Sequence, residues 1–89
     1  MRNNRISDKR KPAPELSHSE IEKTLKKVGK LIKTKRKGQT SLESFSYEIN
    51  ISRSAMARYE AGGDMLLSSF FKVLHGLGIN QEDFFKEIK

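Results

Sequence analysis

Eighty-nine residues support one small core, so the apolar residues must be concentrated in a few amphipathic elements. The absence of cysteine excludes a disulfide framework and thiolate metal sites, and His18 and His75 lie too far apart to make a metal site by themselves. No apolar run is long enough to span a bilayer and none occupies a secretory signal's position, so the expectation is a cytoplasmic protein with no membrane partner and no cofactor.

The formal net charge of +7 is unevenly distributed. Residues 1–38 hold thirteen Lys and Arg against four Asp and Glu; residues 39–89 hold five against seven. A basic N-terminal part on a mildly acidic remainder suits a protein that is drawn to a polyanion. Charge alone does not decide for nucleic acid, since basic chains occur without such a partner.

In chain order, residues 1–16 carry Arg2, Arg5, Lys9, Arg10 and Lys11, followed by Pro12 and Pro14. There is little here to bury, and each proline disfavours helix at the residue before it. A flexible basic arm is expected over residues 1–18, with a folded domain over residues 19–89. Ser17 with Glu20 and Ser19 with Glu22 both have capping-box spacing, which signals a helix start without fixing it. Ile21, Leu25, Val28 and Ile32 then recur at helical spacing, widened by Leu31, while the other faces carry six lysines. This predicts a basic amphipathic first helix ending near Gly38.

Thr40 and Glu43 repeat the capping-box spacing before a short second helix with Leu42, Phe45 and Ile49. Asn50 interrupts it, and Ser52 can cap a third helix over Arg53–Ala61, which Gly62–Gly63 terminates. A fourth helix is predicted on Leu67, Phe70, Phe71, Leu74 and Leu77, stopped by Gly78. Asn80 can cap a last short helix with Phe84, Phe85 and Ile88. No segment alternates convincingly with period two, so the predicted fold is all-α with five short helices.

Residues 42–60 carry the functional signal. Two short helices joined by a turn of three or four residues can present the second helix to the major groove of DNA, provided the first braces it and one side of the second stays polar. Phe45 and Ile49 lie i,i+4 on the bracing helix, and Ser46 is small enough for close approach. Asn50 stands where the chain must turn, and asparagine tolerates the left-handed conformation. Ile51 can fill the corner. Met56 and Tyr59 point inward at i,i+3, leaving Arg53, Ser54, Ala57 and Arg58 outward. Tyr47 and Tyr59 are both expected to be packing residues.

The run from Thr40 to Gly62 resembles the Cro and phage-repressor type of helix-turn-helix, the XRE family. Phe45–Ser46 stands in the place of that family's Leu-Ala pair and Asn50 in the place of its turn glycine. Ser52–Arg53–Ser54 opens the recognition helix, and Glu60–Ala61–Gly62 closes the motif. The likeness covers about residues 25–87. It implies a lambda-repressor-like DNA-binding domain and a transcriptional regulator, not an enzyme, with double-stranded DNA as partner. It further implies base-edge contacts from Arg53, Ser54, Ala57 and Arg58, of which arginine on guanine is the commonest kind. Phosphate contacts are implied for Thr40, Ser41, Ser52, Gly62 and Gly63, and a structural ion pair for Arg36 with Glu60. Homodimers in this family set two recognition helices roughly 34 Å apart; here the dimer contact is expected from the last helix, the first helix or the arm. The alternative is an antitoxin-type or adaptor protein whose main partner is another protein.

Overall fold

A computed structural model describes residues 15–88, which form five helices: α1 (His18–Lys37), α2 (Leu42–Ile49), α3 (Arg53–Glu60), α4 (Leu67–Leu77) and α5 (Gln81–Glu87). Among the described residues there is no strand. The basic arm expected over residues 1–18 lies, through residue 14, outside the described residues.

Of the two candidate starts for α1, the first is used. The Ser17 hydroxyl accepts from the Glu20 N–H at 3.2 Å, and the Glu20 carboxylate accepts from the Ser17 N–H at 3.0 Å. The Ser17 N–H foremost, and the Ser17 hydroxyl after it, both donate to the Glu20 carboxylate and hold its pKa below the ordinary value. The stabilisation from the carboxylate half of the box is therefore fully present above the ordinary carboxylate range and is lost as pH falls through the lowered value. With 20 residues, α1 is not one of the short helices predicted. Lys35, Arg36 and Lys37 in its last turn complement the negative end of the helix dipole.

The cap of α2 is Ser41, one residue later than the predicted Thr40: the Ser41 hydroxyl accepts from the Ser44 N–H at 3.1 Å. Thr40 is held to the end of α1 instead. Its N–H donates to the Arg36 carbonyl at 2.9 Å, and its own carbonyl accepts from Arg36 Nη1 at 3.3 Å. Asn50 closes α2 in the left-handed conformation, φ 57° and ψ 46°. The Asn50 N–H donates to Tyr47 O and the Ile51 N–H to Ser46 O, so two terminal carbonyls of the helix are satisfied. Left-handed backbone costs an ordinary L-residue about 1–2 kcal/mol, and asparagine less. Asn50→Ala is therefore expected to lower stability by about 1 kcal/mol and Asn50→Gly to raise it slightly, measured by urea unfolding; an alanine variant as stable as the parent rules out this backbone conformation.

α3 ends at Glu60, with Ala61 as its cap rather than its last residue. Gly62 then takes φ 101°, which glycine alone accepts readily. The core is formed by Ile32 of α1, Phe45 of α2, Met56 and Tyr59 of α3, Phe70, Val73, Leu74 and Leu77 of α4, and Phe84 of α5. The Phe70 and Phe84 rings meet edge to face with centroids 5.3 Å apart.

Five predicted packing positions are exposed instead: Ile21 of α1, Tyr47 of α2, Leu67 and Phe71 of α4, and Phe85 of α5. On α2, Phe45 and Ser46 point inward, and Tyr47, 200° round the axis from Phe45 at about 100° per residue, stands out in solvent. On α4 the buried stripe is Phe70, Val73, Leu74 and Leu77; Leu67 and Phe71 are exposed. Val73 lies three residues after Phe70 and four before Leu77, so it completes the inward face that Phe71 had been expected to share. Leu67 sits in the first turn of α4, whose cap position is Leu66 and has no side-chain hydrogen bond.

Candidate functional site

The unit α2–turn–α3 presents one polar face. Ser52 caps α3 with its hydroxyl accepting from the Ala55 N–H at 3.1 Å, as Ser41 does for α2. Met56 and Tyr59 are buried beneath α3, Ala55 is half-buried, and Arg53, Ser54, Ala57 and Arg58 are all exposed. At about 100° per residue, Ser54 and Ala57 lie near the middle of the outward face, with Arg53 and Arg58 on opposite flanks about 140° apart. A bulky residue at 54 or 57 would stand between the two guanidinium groups; a serine and an alanine leave that surface open.

The two arginines differ in surroundings. Arg53 Nε lies 3.9 Å from Glu43 Oε1, with both side chains largely solvated. Such a pair contributes little to stability, but it leans Arg53 towards the first turn of α2. Arg58 lies on the other side, its guanidinium carbon 5.6 Å from the centre of the Tyr59 ring. Its stem also runs close to Gly63, where an added Cβ would sit 2.7 Å from Arg58 Cγ. Tyr59 thus serves the core with one part of its ring and supports Arg58 with another. Sequence spacing gave no sign of Glu43 as a neighbour of Arg53, because the two belong to different helices.

The residues expected at phosphates do not form a uniform set. Ser41 and Ser52 are exposed at the starts of the two helices that the turn joins. The N–H groups of Leu42, Glu43, Arg53 and Ser54 belong to the first turns, where a helix has no internal acceptor for them. Thr40 is half-buried, and its backbone groups are both engaged by Arg36. The N–H groups of Gly62 and Gly63 donate to Tyr59 O at 3.0 Å and to Arg58 O at 2.8 Å. Those two donors are spent on closing α3. What the Gly62–Gly63 loop offers an approaching strand is a low backbone without side chains. Beside it runs the stem of Lys26 from α1: a Cβ on Gly62 would lie 2.7 Å from Lys26 Cγ. Lys26 brings a flexible positive charge to the loop that the sequence did not associate with it.

Behind this face, Arg36 and Glu60 are joined by two hydrogen bonds, Nε to Oε2 at 2.9 Å and Nη2 to Oε1 at 2.7 Å. Their side chains are only 8% and 5% exposed. Donating these bonds to Glu60 raises the Arg36 pKa above its already high ordinary value against the opposing effect of burial, so the guanidinium stays charged. One side chain thereby ties together the end of α1, the loop before α2 and the end of α3.

Among the described residues no three His, Cys, Asp or Glu side chains converge as a metal site. No helix among the described residues is long and apolar enough to cross a membrane. In comparisons with known proteins, no family model and no curated sequence matches the chain.

Proposed function

We propose that this chain is a sequence-specific DNA-binding transcriptional regulator with a lambda-repressor-like domain, reading the major groove with α3. The observation that carries this reading is the braced α2–turn–α3 unit, with Arg53, Ser54, Ala57 and Arg58 exposed above a buried Met56 and Tyr59. A helix inserted in the groove needs small residues at its centre and long donors at its flanks, and α3 has both. Arg53 and Arg58 each address a guanine edge, and Ala57 meets a thymine methyl. Ser41 and Ser52 donate their hydroxyl hydrogens to phosphates, aided by the first-turn N–H groups of α2 and α3. Lys26 neutralises a phosphate beside the Gly62–Gly63 loop.

The test is selection of a site from a random duplex pool, followed by binding measurements on the selected and a scrambled duplex over a salt series. Arg53→Ala and Arg58→Ala are each expected to cost about 1–3 kcal/mol on the selected duplex and to relax preference at one base position. On the scrambled duplex they should change little beyond one phosphate's share of the salt dependence. Equal weakening of both duplexes would mean that α3 is not the reader.

A further inference from the structure

Glu43 is released from the role that its spacing suggests. With Thr40 it has the pattern of a capping box, but α2 is capped one residue later, by Ser41 with the Ser44 N–H, so Glu43 stands one place short of the position that closes a box. A carboxylate in the first turn suits the positive end of the α2 dipole, and that alone would explain an acid there. It does not explain where the side chain lies. Its carboxylate is 3.9 Å from Arg53 Nε, on the face that carries the outward residues of α3, although at 80% exposure it is under no packing constraint.

Which nitrogen it faces matters. With Nε turned to the carboxylate, the Nη1 and Nη2 groups keep a free edge that matches guanine O6 and N7. At 3.9 Å the contact is Coulombic and not a hydrogen bond, and in open water it is weak. It strengthens when a duplex covers the face and displaces water, because the same charges then interact through a lower dielectric. The carboxylate also repels phosphate. An arginine at the first position of an exposed helix can otherwise turn to the nearest phosphate, a contact that every sequence offers equally. Arg58 is steadied by an uncharged neighbour instead, its guanidinium carbon 5.6 Å from the centre of the Tyr59 ring.

We propose that Glu43 is a specificity-determining residue that acts through Arg53. It is a positioning residue: it holds Arg53 for a guanine edge and keeps it from the phosphates. This rests on the reading of α3 as the recognition helix. Glu43 exchanges affinity for discrimination. Its charge opposes every duplex alike, and the loss is offset only where a guanine lies under Arg53. Removing the carboxylate therefore acts in the opposite direction to removing the arginine, since binding to unrelated sequences is strengthened while preference at one base pair is relaxed.

The experiment compares the full chain with Glu43→Gln, Arg53→Ala, Arg58→Ala and the double variant Glu43→Gln/Arg53→Ala, each shown to be folded by circular dichroism. Binding is measured on the selected duplex, on the scrambled duplex, and on copies of the selected duplex with the base pair relaxed by Arg53→Ala or by Arg58→Ala exchanged. Glutamine keeps the size and helix preference of the side chain and removes only its charge. Glu43→Gln should bind the scrambled duplex about threefold more tightly and discriminate against exchange of the Arg53 pair about fivefold less well, from one surface charge pair removed. Preference at the Arg58 pair should be unchanged, and with Arg53 already alanine the substitution should alter no base preference. A Glu43→Gln protein that keeps the parent's preference at the Arg53 pair overturns the proposal. So does an equal loss of preference with Arg53 absent, or a loss shared by the Arg58 pair, either of which makes the effect one of general charge. If Arg53→Ala itself relaxes no base pair, the reading of α3 has failed and the proposal falls with it; the other adverse outcomes leave that reading standing.

Discussion

Replacing Arg36 by alanine is expected to lower the stability of the fold by about 3 kcal/mol, a large share of what a domain this small possesses. The side chain makes two bonds to Glu60 and one to the Thr40 carbonyl, in a site where neither charged group has much access to water. Removing the arginine leaves the Glu60 carboxylate buried without its partner, and that desolvation dominates the loss. Glu60→Ala should cost less, because the stranded guanidinium keeps the Thr40 carbonyl and can turn towards the loop. Arg36→Lys should recover only part of the stability, since an ammonium is a point charge and lacks the fork that engages both carboxylate oxygens at once. Exchanging both partners for apolar residues of similar volume should cost far less than either single removal, because no charge is left unpaired. Urea unfolding of the four variants measures this ordering. If Arg36→Ala costs under about 1 kcal/mol, the pair behaves like an exposed one and does not organise the three elements it touches.

The parts of this architecture that were legible in the sequence are those set by local chemistry. Five helices follow from 3.6-residue spacing and from caps, and Ser52 and Asn80 cap as their positions suggest, while Ser17 is the one used of two candidates for α1. Asn50 was identifiable as the turn residue because few other side chains tolerate the conformation that it adopts. Choices between equivalent local options were not legible. Thr40 and Ser41 are both competent caps, and the decision falls to Arg36, which claims the backbone of Thr40. Phe71 and Val73 both fit a helical stripe, and the tertiary packing buries Val73 and leaves Phe71 exposed. Tyr47 departs from its expected burial: an aromatic residue on a short helix suggests packing, whereas a bracing helix of eight residues has only one inward face, which Phe45 and Ser46 occupy. At the candidate site, the outward set on α3 came from periodicity within one helix. The contacts of that set with Glu43 and with the Gly63 loop, and of Gly62 with Lys26, join separate elements and have no signature in a single sequence.

Gly29→Ala is expected to be among the most damaging single-methyl additions in this chain. Two effects oppose each other. In a helix interior alanine is favoured over glycine by about 1 kcal/mol, which would stabilise α1. Against it, a Cβ at position 29 would run into the Tyr59 carbonyl oxygen, and it would lie 2.9 Å from the Glu60 carbonyl oxygen and 3.0 Å from the Gly62 nitrogen. All three neighbours are backbone atoms, so no rotamer change relieves the contact; α1 and the end of α3 must move apart. Overpacking of this kind costs about 1–3 kcal/mol even where side chains can yield, and the net loss here should be about 2–3 kcal/mol. Gly38→Ala is the control. Its backbone is ordinary right-handed helix at φ −71°, and its Cβ would find nothing nearer than 3.5 Å, so that variant should be neutral or slightly more stable. Glu60 is itself among the residues that Gly29 touches, and Arg36 lies about two turns further along α1, so the displacement forced by Gly29→Ala also separates Arg36 from Glu60. The two perturbations should therefore be non-additive, with Gly29→Ala costing less when Glu60 is already alanine. Unfolding free energies of the two single variants and the double variant close this cycle. Full additivity would mean that the ion pair survives the movement of α3, and a Gly29→Ala variant as stable as the parent would mean that α1 and α3 do not approach this closely.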